Sequence, residues 1–480
     1  MGVVDRTSDS DSPTFGAAIL PVGVLLILLL YGLMVRPQWQ GLEPLPLEVV
    51  FLAASAFAIA QLRVLGHTWP EIQKSIVHRL SRGMPGFFVL FSIGCLIGSW
   101  IVSGTIPMLV HWGVRVLDPQ WFYLLAFVVP VAFSTLTGTS WGSAGTVGVV
   151  IMGIALSIDA DVAVTAGAII GGAYFGDKMS PLSDTTTMAA LGAEVDLFEH
   201  IRSMMWTTVP SAVIAASIYT LVGLWSPPTG NAATPESLAF LQGLESMFEF
   251  HWLLLLPPVV VLIGSLRKYP TIPVLGTAIL VACLLALWLQ PFSLVAVCTS
   301  LTTGFDAGMI ANSEALPESV IGLVQRGGLY SMKEAIFAAF LVFFFIGIID
   351  RIDAMPTVVN RLFRFARSQK ATVLAALGSA GLTNALTSNQ YATSFIVGDA
   401  FQHRFDGNGV PRRVLSRSIE DYGTMLESLV PWHPTAVFMV VTLGVPVADY
   451  WSWQLLTLCN LVIAPILAIT GIGCFYKRGS

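Results

Sequence analysis

The chain has 480 residues, of which 55% are hydrophobic and only 11% are charged, and its net charge is −5. An average soluble domain carries about 25% charged residues, so this composition excludes an ordinary soluble protein. The Lys and Arg residues lie in short segments between apolar runs and form no basic face, which excludes a nucleic-acid-binding protein. The five cysteines lack metal-ligand spacing, and we expect no cofactor.

Apolar runs long enough to cross a bilayer, about 20 residues each, recur along the whole chain. In chain order these runs lie near residues 17–35, 46–65, 84–104, 118–136, 205–225, 251–265, 272–290, 331–350, 371–387 and 452–473. The acidic N-terminus has no signal-peptide cleavage site, so the first run is predicted to remain as a span. The sequence therefore predicts an all-α polytopic membrane protein, with residues 1–480 as a single integral membrane domain.

The charge distribution predicts the topology. Lys and Arg concentrate in cytoplasmic loops, and with a cytoplasmic N-terminus nearly all of the 24 such residues lie on that side. This threading requires the pairs 118–136/141–157 and 371–387/391–403 to enter and return on the same side. It gives about 10 full crossings plus two helix pairs, both termini cytoplasmic, in a bacterial-type inner membrane. Residues 67–82 are predicted to form an interfacial cytoplasmic helix.

Two parts of the chain resemble each other. Residues 134–141 align with residues 384–391, at a separation of 250, and residues 172–186 resemble residues 419–433. The order of unlike features carries this match because identity is low. Internal repeats are typical of secondary transporters.

The repeats are predicted to have inverted topology. In the threading above, the span at 84–104 runs outward, whereas its counterpart at 331–350 runs inward. The predicted boundaries are residues 13–226 for the first inverted repeat, 227–250 for an exterior connector and 251–476 for the second inverted repeat.

Each repeat contains two polar, helix-breaking interruptions, at 134–145 and 176–187 in the first and at 383–394 and 420–435 in the second. Irregular backbone at membrane depth is tolerated only where it is buried in protein or lines a cavity. Unwound carbonyls and hydroxyl oxygens can replace the hydration shell of a small cation. The interruptions therefore predict an ion site with re-entrant hairpins and broken helices; its candidate ligands in the first interruption are Thr137 and Ser140.

Two carboxyl groups follow an apolar run in the second interruption, Asp177 and Asp184. Burial disfavours the charged form of a carboxyl group, so Na⁺ and H⁺ can compete for it. The ammonium group of Lys178 beside Asp177 would hold that carboxylate charged, so Asp184 is favoured as the shared group. A neutralised Asp177–Lys178 pair at the cytoplasmic interface is the alternative.

The last interruption carries three carboxyl groups and an imidazole, from Glu420, Asp421, Glu427 and His433. His433 is a candidate second protonation group. The alternative interpretation is that Glu420 and Asp421 begin a half-exposed cytoplasmic helix.

Residues 172–190 and 196–210 resemble the signature of the NhaC family of Na⁺/H⁺ antiporters, and residues 134–148, 387–391 and 415–436 resemble its other blocks. The resemblance implies inverted repeats, re-entrant hairpins, a core that moves against a scaffold and often a homodimer. It also implies a polar core, in which Na⁺ binds at Asp184 and Asp177 with neighbouring Ser and Thr residues. The members of that core are Asp177, Ser180, Ser183, Asp184 and Thr185, facing Thr387, Asn389, Glu420 and Asp421.

Four positions in three motifs depart from the family's pattern: Glu427-Ser428 replaces Ser-Pro, His433 replaces Asn and Thr187 replaces Asn. Some members of the family look like exchangers of organic acids or amino acids. The predicted function is exchange of Na⁺ or Li⁺ for H⁺ by alternating access, with the lipid bilayer and these ions as partners and no enzymatic activity. The alternative is a Na⁺- or H⁺-coupled transporter of a small organic acid or amino acid.

Overall fold

The computed structural model of the protein describes residues 14–230, 234–309, 316–363 and 366–476. Over these ranges the chain is helical and contains no β-strand, which confirms the all-α fold class. Both chain ends, predicted to be cytoplasmic, lie outside the described residues.

Two π-helical segments, at Tyr31–Val35 and Ala144–Gly148, each join two helices in the first half of the chain. Its helices are α1 (Phe15–Leu30), α2 (Arg36–Gln40), α3 (Leu47–Val64), α4 (Trp69–Val102), α5 (Thr105–Val116), α6 (Phe122–Thr137), α7 (Ser140–Ser143), α8 (Val149–Ser157), α9 (Val162–Met179), α10 (Asp184–Gly192) and α11 (Leu197–Trp225).

The second half continues with shorter and more often interrupted helices, and a 3₁₀ turn at Thr424–Leu426 follows one of them. Its helices are α12 (Pro235–Met247), α13 (Leu256–Leu266), α14 (Thr271–Leu289), α15 (Leu294–Thr302), α16 (Glu318–Val324), α17 (Lys333–Asp350), α18 (Ala354–Leu362), α19 (Gln369–Thr387), α20 (Gln390–Gly407), α21 (Arg412–Tyr422), α22 (Pro434–Leu443), α23 (Val447–Tyr450) and α24 (Leu455–Thr470).

Eight helical segments in the described ranges are long and apolar enough to cross a membrane. Two helix pairs, bent by 100° at Ser237–Met247/Trp252–Leu266 and by 90° at Pro434–Leu443/Val447–Trp453, raise the number to as many as 10. The protein is therefore a multi-pass membrane protein, as predicted. The predicted span at 371–387 is helical as part of α19, but polar residues keep it outside the apolar set.

Helix α4 is a single helix of 34 residues. At 1.5 Å per residue it is about 51 Å long, whereas the hydrocarbon core of a bilayer is about 30 Å thick. The predicted interfacial helix at 67–82 is therefore the first part of a longer helix, which continues through Pro85. Arg79, taken as an interfacial charge, is buried, donates to the Thr387 carbonyl at 3.3 Å and lies 3.6 Å from Asp350.

The predicted exterior connector at 227–250 contains a packed helix rather than irregular chain throughout. Its helix α12 is anchored by Ser237, whose hydroxyl donates to the Ser157 carbonyl at 3.0 Å. Glu245 on the same helix bonds His111 at 2.7 Å and Arg115 at 2.8 Å on α5.

The breaks between α6 and α7 and between α19 and α20 share one geometry. Gly138 and Ser388 end the first helix of each pair in the left-handed region, with φ of 70° and 48°. Thr139 and Asn389 then cap the second helix, and each side chain accepts the backbone N–H three residues ahead. The equivalent residues are 250 positions apart, as the repeat predicts.

Later helix starts keep the same separation. Helices α9 and α21 begin at Val162 and Arg412, and helices α10 and α22 begin at Asp184 and Pro434. The resemblance of 172–186 to 419–433 is therefore shifted by three residues from the alignment of the helices. The boundaries of the inverted repeats, and their direction across the membrane, stay predictions.

Buried apolar side chains form two large clusters, and the broken helices connect them. One cluster is built around α6 and α9 and contains Phe127 and Tyr174. The other is built around α17 and α19 to α21 and contains Phe401 and, from α10, Ala189. The chain therefore passes from one cluster to the other at the break between α9 and α10.

Two glycines let α10 and α20 cross in close contact. A Cβ atom at Gly398 would overlap the Gly192 carbonyl oxygen, and Gln402 donates to that same oxygen at 2.8 Å. Small residues at such crossings allow the backbones of membrane helices to approach.

We expect Gly398→Ala to lower the thermal stability of the purified protein, because overpacking a close contact costs about 1–3 kcal/mol. The matched control is Gly407→Ala on the same helix, where a Cβ atom meets nothing within 4 Å. The control should be neutral or slightly more stable, since Ala favours a helix over Gly by about 1 kcal/mol. Tryptophan fluorescence during heating measures both variants, and equal melting temperatures would contradict the close crossing.

Candidate functional site

Asp177, on the last turn of α9, has both carboxylate oxygens bonded by hydroxyl groups. Ser140 at the start of α7 donates to one oxygen at 2.6 Å, and Ser183 donates to the other at 2.6 Å. The Ser183 hydroxyl in turn lies 2.9 Å from the Thr185 hydroxyl. Asp177 is only 5% exposed. Three helix ends therefore converge on one buried carboxylate.

Asp184, which begins α10, has a different environment. It is exposed, and the phenol of Tyr391 on α20 donates to its carboxylate. Asp184 therefore connects the two breaks of the different halves, whereas Asp177 is the more enclosed carboxylate.

Lys178 lies beside Asp177 in the sequence, but its side chain points elsewhere. Its ammonium group forms a buried ion pair with Asp421 on α21. Thr207 donates to the same Asp421 oxygen at 2.8 Å, and Arg417 lies 3.8 Å from the other oxygen. The expected ammonium beside the Asp177 carboxylate, and the alternative of an Asp177–Lys178 pair, are therefore wrong. Successive helix positions point about 100° apart, which separates the two side chains.

Glu420 and Asp421 are both buried, at 0% and 1% exposure, near the C-terminal end of α21. The alternative in which they begin a half-exposed cytoplasmic helix is therefore wrong.

Glu427 occupies the break after α21 and is surrounded by donors from three other elements. Asn384 on α19 donates to one carboxylate oxygen at 3.1 Å. Tyr174 on α9 and Thr435 on α22 donate to the other, at 3.4 Å and 3.2 Å. Hydrogen bonds of this kind stabilise negative charge on a carboxylate.

His433 fixes the orientation of the Asn384 amide. The Thr435 backbone N–H donates to His433 Nδ1 at 3.2 Å, so Nδ1 carries no proton. The proton is then on Nε2, which lies 3.0 Å from Asn384 Oδ1 and donates to it. The Asn384 nitrogen therefore faces Glu427 and also Gln390, at 2.8 Å. In this arrangement His433 is neutral and caps α22.

A cavity of about 850 Å³ joins these groups. Eight of the predicted site residues line it, and they come from both halves. They are Thr137, Ser140, Asp177, Asp184, Thr185, Asn389, Glu427 and His433. The cavity also reaches the exposed residues Arg82, Lys268 and Tyr269, so a path leads from the surface to the buried carboxylates.

The other predicted site residues lie outside this lining. Ser183 is directly behind it, bonded to Asp177. Ser180 accepts the Leu182 N–H at 3.2 Å in the turn after α9, and Thr387 is the buried last residue of α19. Glu420 and the paired Asp421 lie behind the cavity wall.

Sequence reasoning missed several residues that contact the carboxylates: Tyr174, Asn384, Tyr391 and Thr435. Asn384 and Tyr391 were inside a recognised interruption and aligned with Ser134 and Trp141 of the first repeat. Their polarity at repeat-equivalent positions was an available signal. Tyr174 lies in a run of small residues, and only folding shows that its hydroxyl reaches Glu427.

The oxygen atoms around Asp177, from its own carboxylate and from Ser140 and Ser183, suit a hard monovalent cation. Carboxylate and hydroxyl oxygens are all neutral or negative acceptors once the hydroxyl protons turn away, and oxygen ligands are those that such cations prefer. Within the described ranges, no group of three or more His, Cys, Asp and Glu residues is arranged to hold a metal.

Comparison with known proteins gives a consistent result. A family model described as the Na⁺/H⁺ antiporter family matches residues 172–472. The chain is 37% identical to a Haemophilus influenzae protein named an uncharacterized Na⁺/H⁺ antiporter, over 96% of this chain and 97% of that one. It is 34% identical to the Na⁺/H⁺ antiporter NhaC of Alkalihalophilus pseudofirmus, over 96% of both chains.

A further relative has a different name. The chain is 29% identical to the malate-2H⁺/Na⁺-lactate antiporter of Bacillus subtilis, over 98% of this chain and 97% of that one.

Removing Lys178 should destabilise the protein strongly. Lys178→Met leaves the buried Asp421 carboxylate without its ammonium partner, and breaking a buried ion pair in this way costs about 3–5 kcal/mol. The double variant Lys178→Met/Asp421→Asn removes both charges and should recover part of the loss. Melting temperatures of the wild type, both single variants Lys178→Met and Asp421→Asn, and the double variant in detergent measure this. Additive losses in the double variant would show that the two groups do not interact.

Proposed function

The chain belongs to the Na⁺/H⁺ antiporter family, and from this premise we propose that it exchanges Na⁺ for H⁺, with Asp177 as the carboxylate that both cations use. The observation that carries the proposal is the pair of 2.6 Å hydroxyl contacts on a buried carboxylate that lines a cavity. One group then serves two substrates in turn.

Competition at Asp177 follows from its surroundings. When a proton occupies one carboxylate oxygen, the hydroxyl beside that oxygen accepts its hydrogen bond, while the other hydroxyl still donates to the second oxygen. When Na⁺ arrives, the same hydroxyls turn their lone pairs toward it, and the charged carboxylate supplies the balancing charge. Binding of one cation therefore excludes the other.

Burial distinguishes Asp177 from Asp184, which the sequence favoured. That preference depended on an ammonium group beside Asp177, whereas Lys178 pairs with Asp421. Asp184 is exposed and bonded to Tyr391, a position suited to attracting cations into the cavity rather than to holding them out of water.

We assign the open side of the cavity to the cytoplasm. Its exposed rim includes Arg82 and Lys268, and short cytoplasmic loops are enriched in such residues. The conformation then corresponds to an inward-facing state in an alternating-access cycle, with both termini in the cytoplasm.

A second candidate function is exchange or coupled transport of a small organic acid. The cavity volume of about 850 Å³ far exceeds the needs of a bare Na⁺, and Arg82 and Lys268 at its rim can pair with a carboxylate. The relative named a malate-2H⁺/Na⁺-lactate antiporter supports this candidate.

Asp177→Asn should abolish Na⁺-dependent proton movement, because an amide cannot exchange a proton for a cation. The assay is recovery of a pH-sensitive dye in inverted membrane vesicles after addition of Na⁺ or Li⁺. Asp184→Asn should raise the Na⁺ concentration that gives a half-maximal response, by about tenfold or less, and should leave the maximal rate unchanged. Glu199→Gln, at an exposed carboxylate on α11, is the control with wild-type response.

Two results would contradict this proposal. Wild-type vesicles without any Na⁺ or Li⁺ response across the pH range would remove the exchange activity. A silent Asp184→Asn variant beside an active Asp177→Asn variant would transfer the shared site to Asp184.

For the second candidate, proteoliposomes loaded with labelled malate or lactate should release the label when an outward gradient of that acid is imposed. The double variant Arg82→Gln/Lys268→Gln should then lower the rate several-fold, because both rim cations are lost, while Na⁺/H⁺ exchange persists. Release no faster than from protein-free liposomes would rule out transport of these acids.

A further inference from the structure

The repeat makes Glu427 the equivalent of Asp177 in the second half of the chain. Three helix starts in the first half, at Ser140, Val162 and Asp184, recur 250 residues later. At that separation Asp177 corresponds to Glu427. Asp177 lies on the last turn of α9, whereas Glu427 lies in the break after α21. Both carboxyl groups line the same cavity.

The neighbours of the two carboxyl groups correspond as well. Ser183, the residue before α10, bonds Asp177 and contacts Thr185. Their counterparts 250 residues later are His433, 4.0 Å from Glu427, and Thr435, which donates to it at 3.2 Å. Each half therefore supplies one carboxylate with a hydroxyl from the helix start that follows it.

The second half also presents polar groups without a partner in the described structure. The hydroxyl of Ser388 and Nε2 of Gln390 are buried and unpaired, and both residues line the cavity. An unpaired buried polar group is costly unless a ligand or water meets it. The Ser388 oxygen is an available ligand at the tip of the α19–α20 break.

Hydrogen-bond donors surround the Glu427 carboxyl group, and they stabilise its ionised form. Asn384, Tyr174 and Thr435 all donate to it, and His433 keeps the Asn384 nitrogen facing it. A negative group fixed in this way attracts a cation, and its anionic oxygens still have lone pairs for one.

Building on the proposed function, we infer that Glu427 forms a second subsite for a monovalent metal cation, so that the cavity binds two Na⁺ or Li⁺ ions at once. Its ligands are the Glu427 carboxylate and the Thr435 hydroxyl, and the unpaired Ser388 hydroxyl lines the same cavity. The carboxylates of Asp177, Asp184 and Glu427 line one cavity and supply enough negative charge for two monovalent cations.

Equilibrium binding of Na⁺ tests this inference. The purified protein, in detergent and choline buffer, is titrated with NaCl by isothermal titration calorimetry, with ²²Na⁺ binding as an independent count. The wild type should bind two Na⁺ per chain, and Glu427→Gln and Asp177→Asn should each bind one. Glu199→Gln should bind two.

One bound Na⁺ in the wild type, or two in Glu427→Gln, would overturn the second subsite. If Glu427→Gln does not fold, the wild-type count decides, and Thr435→Ala provides a milder variant. Thr435→Ala should weaken one of the two binding events about tenfold, and two unchanged affinities would also overturn the inference.

The outcome is separable from that of the proposed function. Wild-type vesicles that exchange Na⁺ for H⁺ while the protein binds one Na⁺ would overturn the second subsite alone. Two bound Na⁺ in a protein without exchange would overturn the proposed exchange and leave the second subsite supported.

Discussion

Lipid offers no hydrogen-bond partners, so a helix that begins inside a membrane protein must satisfy its open end from within the protein. Four helices begin in this way around the cavity, α7, α10, α20 and α22. Thr139, Asn389 and His433 cap three of them by accepting backbone N–H groups. Ser183, before α10, instead donates its hydroxyl to Asp177. Three of the four residues before these helices therefore cap a helix, whereas the fourth, Ser183, contributes its hydroxyl to the candidate site.

Much of the architecture could be predicted from the sequence, because lipid imposes a simple rule on composition. Long apolar runs and few charges indicated a polytopic helical protein. The positions of the breaks were also predictable. Polar and glycine-rich segments between apolar runs are stable only where they are buried in protein or line a cavity. The left-handed residues Gly138 and Ser388 occupy the equivalent positions of the two breaks, as the repeat in the sequence indicated.

The details of the site depended on directions that a sequence does not state. Asp177 and Lys178 are neighbours in the chain, yet one faces the cavity and the other faces α21. Arg79 lies in the segment predicted as an interfacial helix, although it is buried against the end of α19. Asp184 was expected to be buried, but the start of α10 faces the cavity. Each error concerns the rotation of a helix about its axis, which depends on packing against distant segments.

The buried ion pair between Lys178 and Asp421 has a mechanical consequence. It connects α9 of the first half to α21 of the second, and separating such a pair inside a protein costs about 3–5 kcal/mol. This cost opposes any movement that pulls the two helices apart. Any movement of one half of the chain past the other therefore carries α9 and α21 together.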